Sequence, residues 1–112
     1  MNKYTIISLT HILLVGPGLI YLGKTIPSGN NSKINFNILL VLGILLLLSH
    51  SHKLYKNGIS LGWIYALHVF IFSPIMLYVG LMKENSHYSS LYLLQMIGYS
   101  AIGMHGSKLL NF

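Results

Sequence analysis

The stretch His11–Gly23, HILLVGPGLIYLG, returns later in the chain as His68–Gly80, HVFIFSPIMLYVG. In both stretches a His is followed at the same spacings by a Pro, a Tyr and a Gly. The matched residues are His11 and His68, Pro17 and Pro74, Tyr21 and Tyr78, and Gly23 and Gly80. Landmark residues that recur in a fixed order are typical of a tandem duplication.

A second block of the chain repeats in the same way. Residues 39–54 return as residues 94–109. The identical positions are Leu39 and Leu94, Gly43 and Gly98, His50 and His105, Lys53 and Lys108, and Leu54 and Leu109. We therefore predict two tandem copies, residues 1–57 and 58–112, which together form one domain.

The composition assigns the chain to the membrane. Of its 112 residues, 54% are hydrophobic and 7% are charged, which is too apolar for a soluble domain of this size. A bilayer core of about 30 Å requires about 20 helical residues. The apolar spans that meet this length are residues 4–23, 34–54, 61–82 and 88–110. The sequence predicts an all-α integral membrane four-helix bundle in which each copy is a helical hairpin and the two hairpins are parallel.

The basic residues predict the orientation of the chain and its partner. With four spans, Lys3, Lys53, Lys56 and Lys108 share one side and three Lys share the other, so both termini are expected in the cytoplasm. The formal charge of +6 forms no basic stripe, so we expect contact with the lipid bilayer and none with nucleic acid. The expected anchors at the membrane interface are Tyr21, Lys53, Tyr78 and Lys108.

Four His are predicted to lie at one depth. His11 is near the start of the first span and His50 near the end of the second, so a hairpin brings them to the same side. The duplication does the same for His68 and His105. We expect the pair His11 and His68 to face one another, with His50 and His105 as a second pair or as supporting residues.

The same register predicts contacts between helices at mid-membrane. Pro17 is expected to lie against Gly43, and Pro74 against Gly98. A Pro inside a helix bends it, and a Gly on the neighbouring helix allows the two backbones to approach closely. These four residues are therefore assigned to helix kinking and packing.

The predicted His level suggests three functions. Imidazoles on facing helices can hold a transition metal, such as copper or zinc, or a haem, and so move electrons. The alternative is a His-gated proton or cation channel or transporter, which would need a homo-oligomer because four helices enclose a pore poorly. The third function is purely structural, with the His side chains hydrogen-bonding between helices.

Several kinds of catalysis lack the necessary residues. Glu84 is the only acidic residue and the chain has no Cys, which excludes paired-carboxylate, Ser-triad and Cys-nucleophile enzymes. Enzyme activity would require a bound cofactor that does the chemistry. No motif in the chain matches a family signature.

Overall fold

A computed structural model describes residues 2–28 and 34–110, and long helices make up almost all of this part. The helices are α1 (Lys3–Thr25), α2 (Phe36–Leu61), α3 (Trp63–Asn85) and α4 (Tyr88–Leu109). No strand occurs in these two described ranges. The all-α class predicted from the sequence is confirmed.

Three of these helices are long and apolar enough to cross a membrane. They are α1, residues Phe36–Ser60 of α2, and α3. Large apolar side chains such as Leu13, Leu48 and Phe70 stand exposed on their surfaces, as expected for contact with lipid. This agrees with a membrane protein. The crossing of the membrane by α4 stays a prediction, as does the orientation of the termini.

Three helices, α1, α2 and α3, end later than the predicted spans. α1 continues to Thr25 and is followed by a 3₁₀ turn, Ile26–Ser28, so the predicted loop at 24–33 begins later than expected. Residues 29–33 of that loop lie outside the described residues. Between α3 and α4 the predicted short turn at 83–87 is present and contains a 3₁₀ turn, Lys83–Asn85.

The predicted linker at 55–60 is mostly helical. α2 runs on to Leu61, and its helical geometry is broken only at Gly58, which has φ 75° and ψ 168°. This conformation is open essentially to Gly alone. The break falls at Asn57-Gly58, and the Gly62 amide still donates a helical hydrogen bond of 2.8 Å to the Gly58 carbonyl.

The chain divides into two compact units. Unit 1 consists of Met1–Asn31 with Leu91–Phe112, and unit 2 of Ser32–Ser90. Unit 1 thus contains α1 and most of α4, and unit 2 contains α2 and α3. Each unit combines one helix from each predicted copy. The division into copies at 1–57 and 58–112, their parallel arrangement and the single domain stay predictions.

Close contacts between small residues hold α1 and α4 together in unit 1. A Cβ built on Gly98 would lie 2.6 Å from the carbonyl oxygen of Gly16 and 2.8 Å from a side-chain carbon of Ile20. The buried apolar residues of this unit include Leu19, Leu94 and Ile97. Gly98 therefore allows a backbone-to-backbone approach that a larger residue would prevent.

In unit 2, α2 and α3 meet at the corresponding depth. A Cβ on Gly43 would lie 2.9 Å from the side chain of Leu77, and the buried hydroxyl of Ser73 donates a hydrogen bond of 2.8 Å to the Gly43 carbonyl. Leu39, Met76 and Val79 are buried. These contacts set the register of the two helices, because Gly43 leaves space for the side chain of Leu77 and its carbonyl accepts from Ser73.

The predicted contacts of Pro17 with Gly43 and of Pro74 with Gly98 would join residues of different units, and they stay predictions. Within the units, Gly98 contacts the residues beside Pro17, and Gly43 contacts the residues beside Pro74. A Cβ on either glycine would come within 3 Å of the neighbouring helix.

Candidate functional site: two stacked histidine pairs

A widened helical turn begins at a His in both α1 and α3. Residues His11–Val15 and His68–Phe72 form π-helical turns, closed by hydrogen bonds from the Gly16 and Ser73 amides to the carbonyls of His11 and His68. Each turn is followed by a Pro, whose ring would clash with the preceding turn of a regular α-helix. The π turn accommodates that ring, and such turns are frequent at functional sites.

His11 and His105 stack on one another in unit 1. Their ring centroids are 4.2 Å apart and their planes differ by 25°. The Nδ1–H of His11 donates to the carbonyl oxygen of Ile7 at 2.8 Å, and Nδ1 of His105 lies 3.3 Å from the hydroxyl of Ser8. Both rings are half-buried. A polar contact to each ring thus adds to the stacking.

His50 and His68 form the equivalent stack in unit 2, with centroids 4.4 Å apart and planes within 10°. Nδ1 of His68 donates to the Ile64 carbonyl at 2.6 Å, and Nδ1 of His50 lies 3.1 Å from the Leu46 carbonyl. Aromatic rings extend the stack on both sides: Phe72 meets His68 edge-on at 4.8 Å, and Tyr65 lies 5.7 Å from His50.

The hydrogen bonds fix the tautomer of most of these rings. A carbonyl oxygen can only accept, so an Nδ1 bonded to one must carry the proton. In their neutral forms, His11, His50 and His68 then have their lone pair on Nε2. This is the form of imidazole that serves as a metal ligand when the other nitrogen is held by a carbonyl.

The stacked geometry bears on how such rings could bind a metal or haem. A metal ion lies in the plane of an imidazole ring, in the direction of the nitrogen lone pair. Two rings that bind one ion must therefore direct their lone pairs at the same position. Rings stacked 4.2 Å and 4.4 Å apart, with planes 25° and 10° from parallel, direct their lone pairs side by side. Within each pair, one ring would have to turn before both could bind the same ion. The copper, zinc or haem site stays a prediction.

All four predicted site His therefore lie in stacked pairs, each pair joining two helices of one unit. The expected contacts between His11 and His68, and between His50 and His105, would join different units and stay predictions. His52 and His87, which fall outside the matched set, are exposed.

The predicted interface anchors are largely exposed. Tyr21 and Lys108 stand on the surface, and the ammonium of Lys53 lies 5.5 Å from the ring centre of Tyr65. The hydroxyl of Tyr78 accepts a hydrogen bond of 3.2 Å from the backbone amide of His87. This bond ties the end of α3 to the residue before α4. The role of these side chains as membrane anchors stays a prediction.

Sequence reasoning missed two residues of the site, Ser8 and Tyr65. They occupy the same position in the two predicted copies, three residues before His11 and His68. Ser8 contacts His105, and Tyr65 contacts His50. A residue three positions before a His lies on the same helical face, and that spacing was the available signal.

No family model matches the chain, and neither the curated proteins nor the solved structures contain a significant match.

Proposed function

We propose that this chain is a small multi-pass membrane protein of the channel or transporter class, in which the stacked His pairs form a pH-sensitive gate for protons or cations. The observation that carries the proposal is the near-parallel stacking of His11 on His105 and of His50 on His68, at 4.2 Å and 4.4 Å.

Such a stack responds to protons. A neutral imidazole stacks on another neutral ring or on a single imidazolium, but two imidazoliums about 4 Å apart repel by about 4 kcal/mol at an effective dielectric constant near 20. The only carboxylate side chain of the protein, Glu84, lies in the last turn of α3, whereas His68 lies near its start. Full protonation therefore favours separation of the two helices at the His end.

The neutral state is closed in both units. Beyond the His pairs, Leu39 and Val79 fill the core of unit 2, and Leu94 that of unit 1, with almost no exposed surface. Hydrated ions cannot pass through such packing. The gate would open when charged His rings force the ends of the helices apart, beside the π turns.

We further propose that the bundle arose as two tandem copies. The π turns begin at His11 and His68, which match in the sequence, and the contact of Gly98 with Gly16 matches that of Gly43 with Ser73. Because four helices enclose a pore poorly, the working channel would be a homo-oligomer in the bilayer, with both termini in the cytoplasm.

The test is proton flux into liposomes that contain the purified protein and a pH-sensitive dye. We expect flux that rises as the pH falls from neutral into the acid range. His11→Ala combined with His68→Ala breaks both stacks and should remove the pH dependence. His52→Ala is the matched control, since this His is exposed and outside the pairs. Absence of flux at every pH, or unchanged flux in the double variant, would rule out the gate.

Transition-metal or haem binding, with electron transfer, is the second candidate. It is favoured by the carbonyl contacts that place the neutral lone pair of His11, His50 and His68 on Nε2. Elemental analysis and a visible spectrum of the purified protein test it. Colourless, metal-free protein that ignores added haem, copper and zinc would contradict this candidate. Failure of both tests would leave the His stacks with a structural role.

A further inference from the structure

Three polar side chains of unit 1 come together near the end of α1, away from its His. The ammonium of Lys24 lies 5.9 Å from the ring centre of Tyr99. The side chain of Gln95 packs against Gly23, the residue before Lys24, where an added Cβ would overlap it. Gln95 and Tyr99 are four residues apart on α4 and therefore share a face of that helix. We call Lys24, Gln95 and Tyr99 the Lys24 cluster.

Unit 2 has apolar side chains at the equivalent positions. Leu40 packs against Gly80, the glycine that matches Gly23 in the repeat. The offsets of the two repeated blocks pair Lys24 with Leu81, Gln95 with Leu40, and Tyr99 with Ile44. Leu81 and Ile44 are 69% and 48% exposed, as expected for a surface in contact with lipid. Aliphatic residues therefore satisfy the packing at these positions, and packing does not explain the polar cluster of unit 1.

The ammonium of Lys24 is turned toward the middle of the span. Tyr99 follows Gly98, which packs against Gly16 and Ile20, so α4 places Tyr99 nearer the middle of α1 than its end. A Lys at the end of a spanning helix ordinarily extends its ammonium outward to water. Unit 1 has no Asp or Glu, so its own side chains supply no carboxylate to balance this charge. A cation held inside the membrane is costly, and an anion bound from outside the chain would offset that cost.

We propose that the Lys24 cluster binds the phosphate of an anionic phospholipid. The Lys24 ammonium, the Gln95 amide and the Tyr99 hydroxyl can all donate hydrogen bonds, which suits the unprotonated oxygens of a phosphate diester. The ring of Tyr99 holds the ammonium by a cation–π contact and leaves its N–H donors for the ligand. This site is separate from the His stacks and does not depend on the proposed gate.

Apolar surface beside the cluster can hold the acyl chains of the lipid. On α1, Pro17 and Tyr21 are exposed and lie seven and three residues before Lys24, on adjoining parts of the helix surface. On α4, Met96 follows Gln95 and is 61% exposed. A free phosphate ion gains nothing from such surface, so the observations favour a lipid.

Lipid binding by the purified protein in detergent micelles tests the proposal, with native mass spectrometry to measure the bound fraction. Phosphatidylglycerol, which has a net negative charge, is compared with zwitterionic phosphatidylcholine that carries the same acyl chains. We expect the wild type to bind phosphatidylglycerol more tightly. Lys24→Gln should weaken that binding about tenfold, the effect of losing one charge-assisted hydrogen bond. Lys83→Gln is the matched control, because it removes an equal charge from an exposed Lys of unit 2 and should leave the affinity unchanged.

A threefold variant gives unit 1 the residues of unit 2. It combines Lys24→Leu, Gln95→Leu and Tyr99→Ile. Because unit 2 packs with these side chains, the variant should fold, which circular dichroism checks. Its preference for phosphatidylglycerol over phosphatidylcholine should disappear.

Equal binding of the two lipids by the wild type would overturn the proposal, and this comparison decides the question even if a variant fails to fold. An unchanged affinity in Lys24→Gln, equal losses in the two Lys variants, or a preference that survives the threefold replacement would also overturn it. Inorganic phosphate at millimolar concentration should not displace the lipid, and displacement would show that the cluster takes free phosphate instead. Since the measurement needs no transport, a preference for the anionic lipid in a protein without flux keeps this site and removes the gate.

Discussion

Gly98 and Gly103 lie on the same helix, α4, in very different surroundings. A Cβ on Gly98 would lie 2.6 Å from a backbone oxygen of α1, whereas a Cβ on Gly103 would meet nothing within 4 Å. The backbone of α1 cannot move away from an added methyl group as a flexible side chain could. Gly98→Ala should therefore destabilise the contact of α1 with α4 by about 1–3 kcal/mol, the usual cost of overpacking.

Thermal unfolding in detergent micelles measures this effect, and Gly103→Ala is the matched control. Replacing an exposed helical Gly by Ala gains about 1 kcal/mol of helix propensity, so the control should be neutral or slightly stabilising. Equal stability of the two variants would show that α1 and α4 do not pack at Gly98.

The sequence could predict which positions recur in both copies and so deserve a role, but not which residues they contact. The recurrence of His11 as His68 and of Gly43 as Gly98 marked all four positions. Spacing along a helix gives depth, and the stacked rings do share a depth within each unit. Spacing does not tell how each helix is rotated about its own axis, so the contact of Ser8 with His105 could not be inferred from the sequence alone.

Among the helical elements, the break near the end of α2 depends on the conformation of one residue. Gly58 has φ 75° and ψ 168°, and a Cβ there would meet nothing within 4 Å. Any loss in Gly58→Ala is therefore backbone strain and not a steric clash with a neighbour. We expect a loss of about 1–3 kcal/mol, since this region of conformational space is essentially restricted to Gly.

Thermal unfolding also measures the effect of Gly58→Ala, and Gly103→Ala again controls for the change from Gly to Ala. If Gly58→Ala were as stable as wild type, the connection between α2 and α3 would not need a positive φ at this position, and the two helices would form a different turn.

At the scale of elements, composition predicted the helices well and their irregularities poorly. Apolar length placed every span on an observed helix, but α2 continues to Leu61, past its predicted end at residue 54. The π turns at His11 and His68 were not predicted, because a Pro in a helix is compatible with a simple kink as well as with a widened turn. The choice depends on packing against the neighbouring helix, which the local sequence does not encode.

At the scale of the whole molecule, the prediction of four crossings has a direct test. The chain has no Cys, so single-Cys variants can be labelled in intact cells without background. With four crossings and cytoplasmic termini, cysteines at positions 57 and 108 should resist an impermeant maleimide, and a cysteine at position 84 should react. Labelling at both 84 and 108 would show that α4 does not cross the membrane.

The final prediction concerns the stability of the protein as the pH falls. If the proposed gate is right, two imidazoliums in one stack repel each other in the folded state and are separated when the chain unfolds. Acid should then lower the free energy of unfolding, because repulsion between the charged rings destabilises only the folded state. The repulsion of about 4 kcal/mol per stack sets the upper limit.

Thermal unfolding at neutral and at acid pH should therefore show a midpoint several degrees lower in acid for the wild type. Replacing the four stacked His by Phe keeps aromatic rings at 11, 50, 68 and 105 but removes their charge, so most of the acid-induced shift should disappear. His52→Phe should retain it, because this exposed side chain belongs to neither stack. An equal shift in the wild type and the fourfold Phe variant would show that the stacks do not sense protons, since the acid sensitivity would then come from other groups.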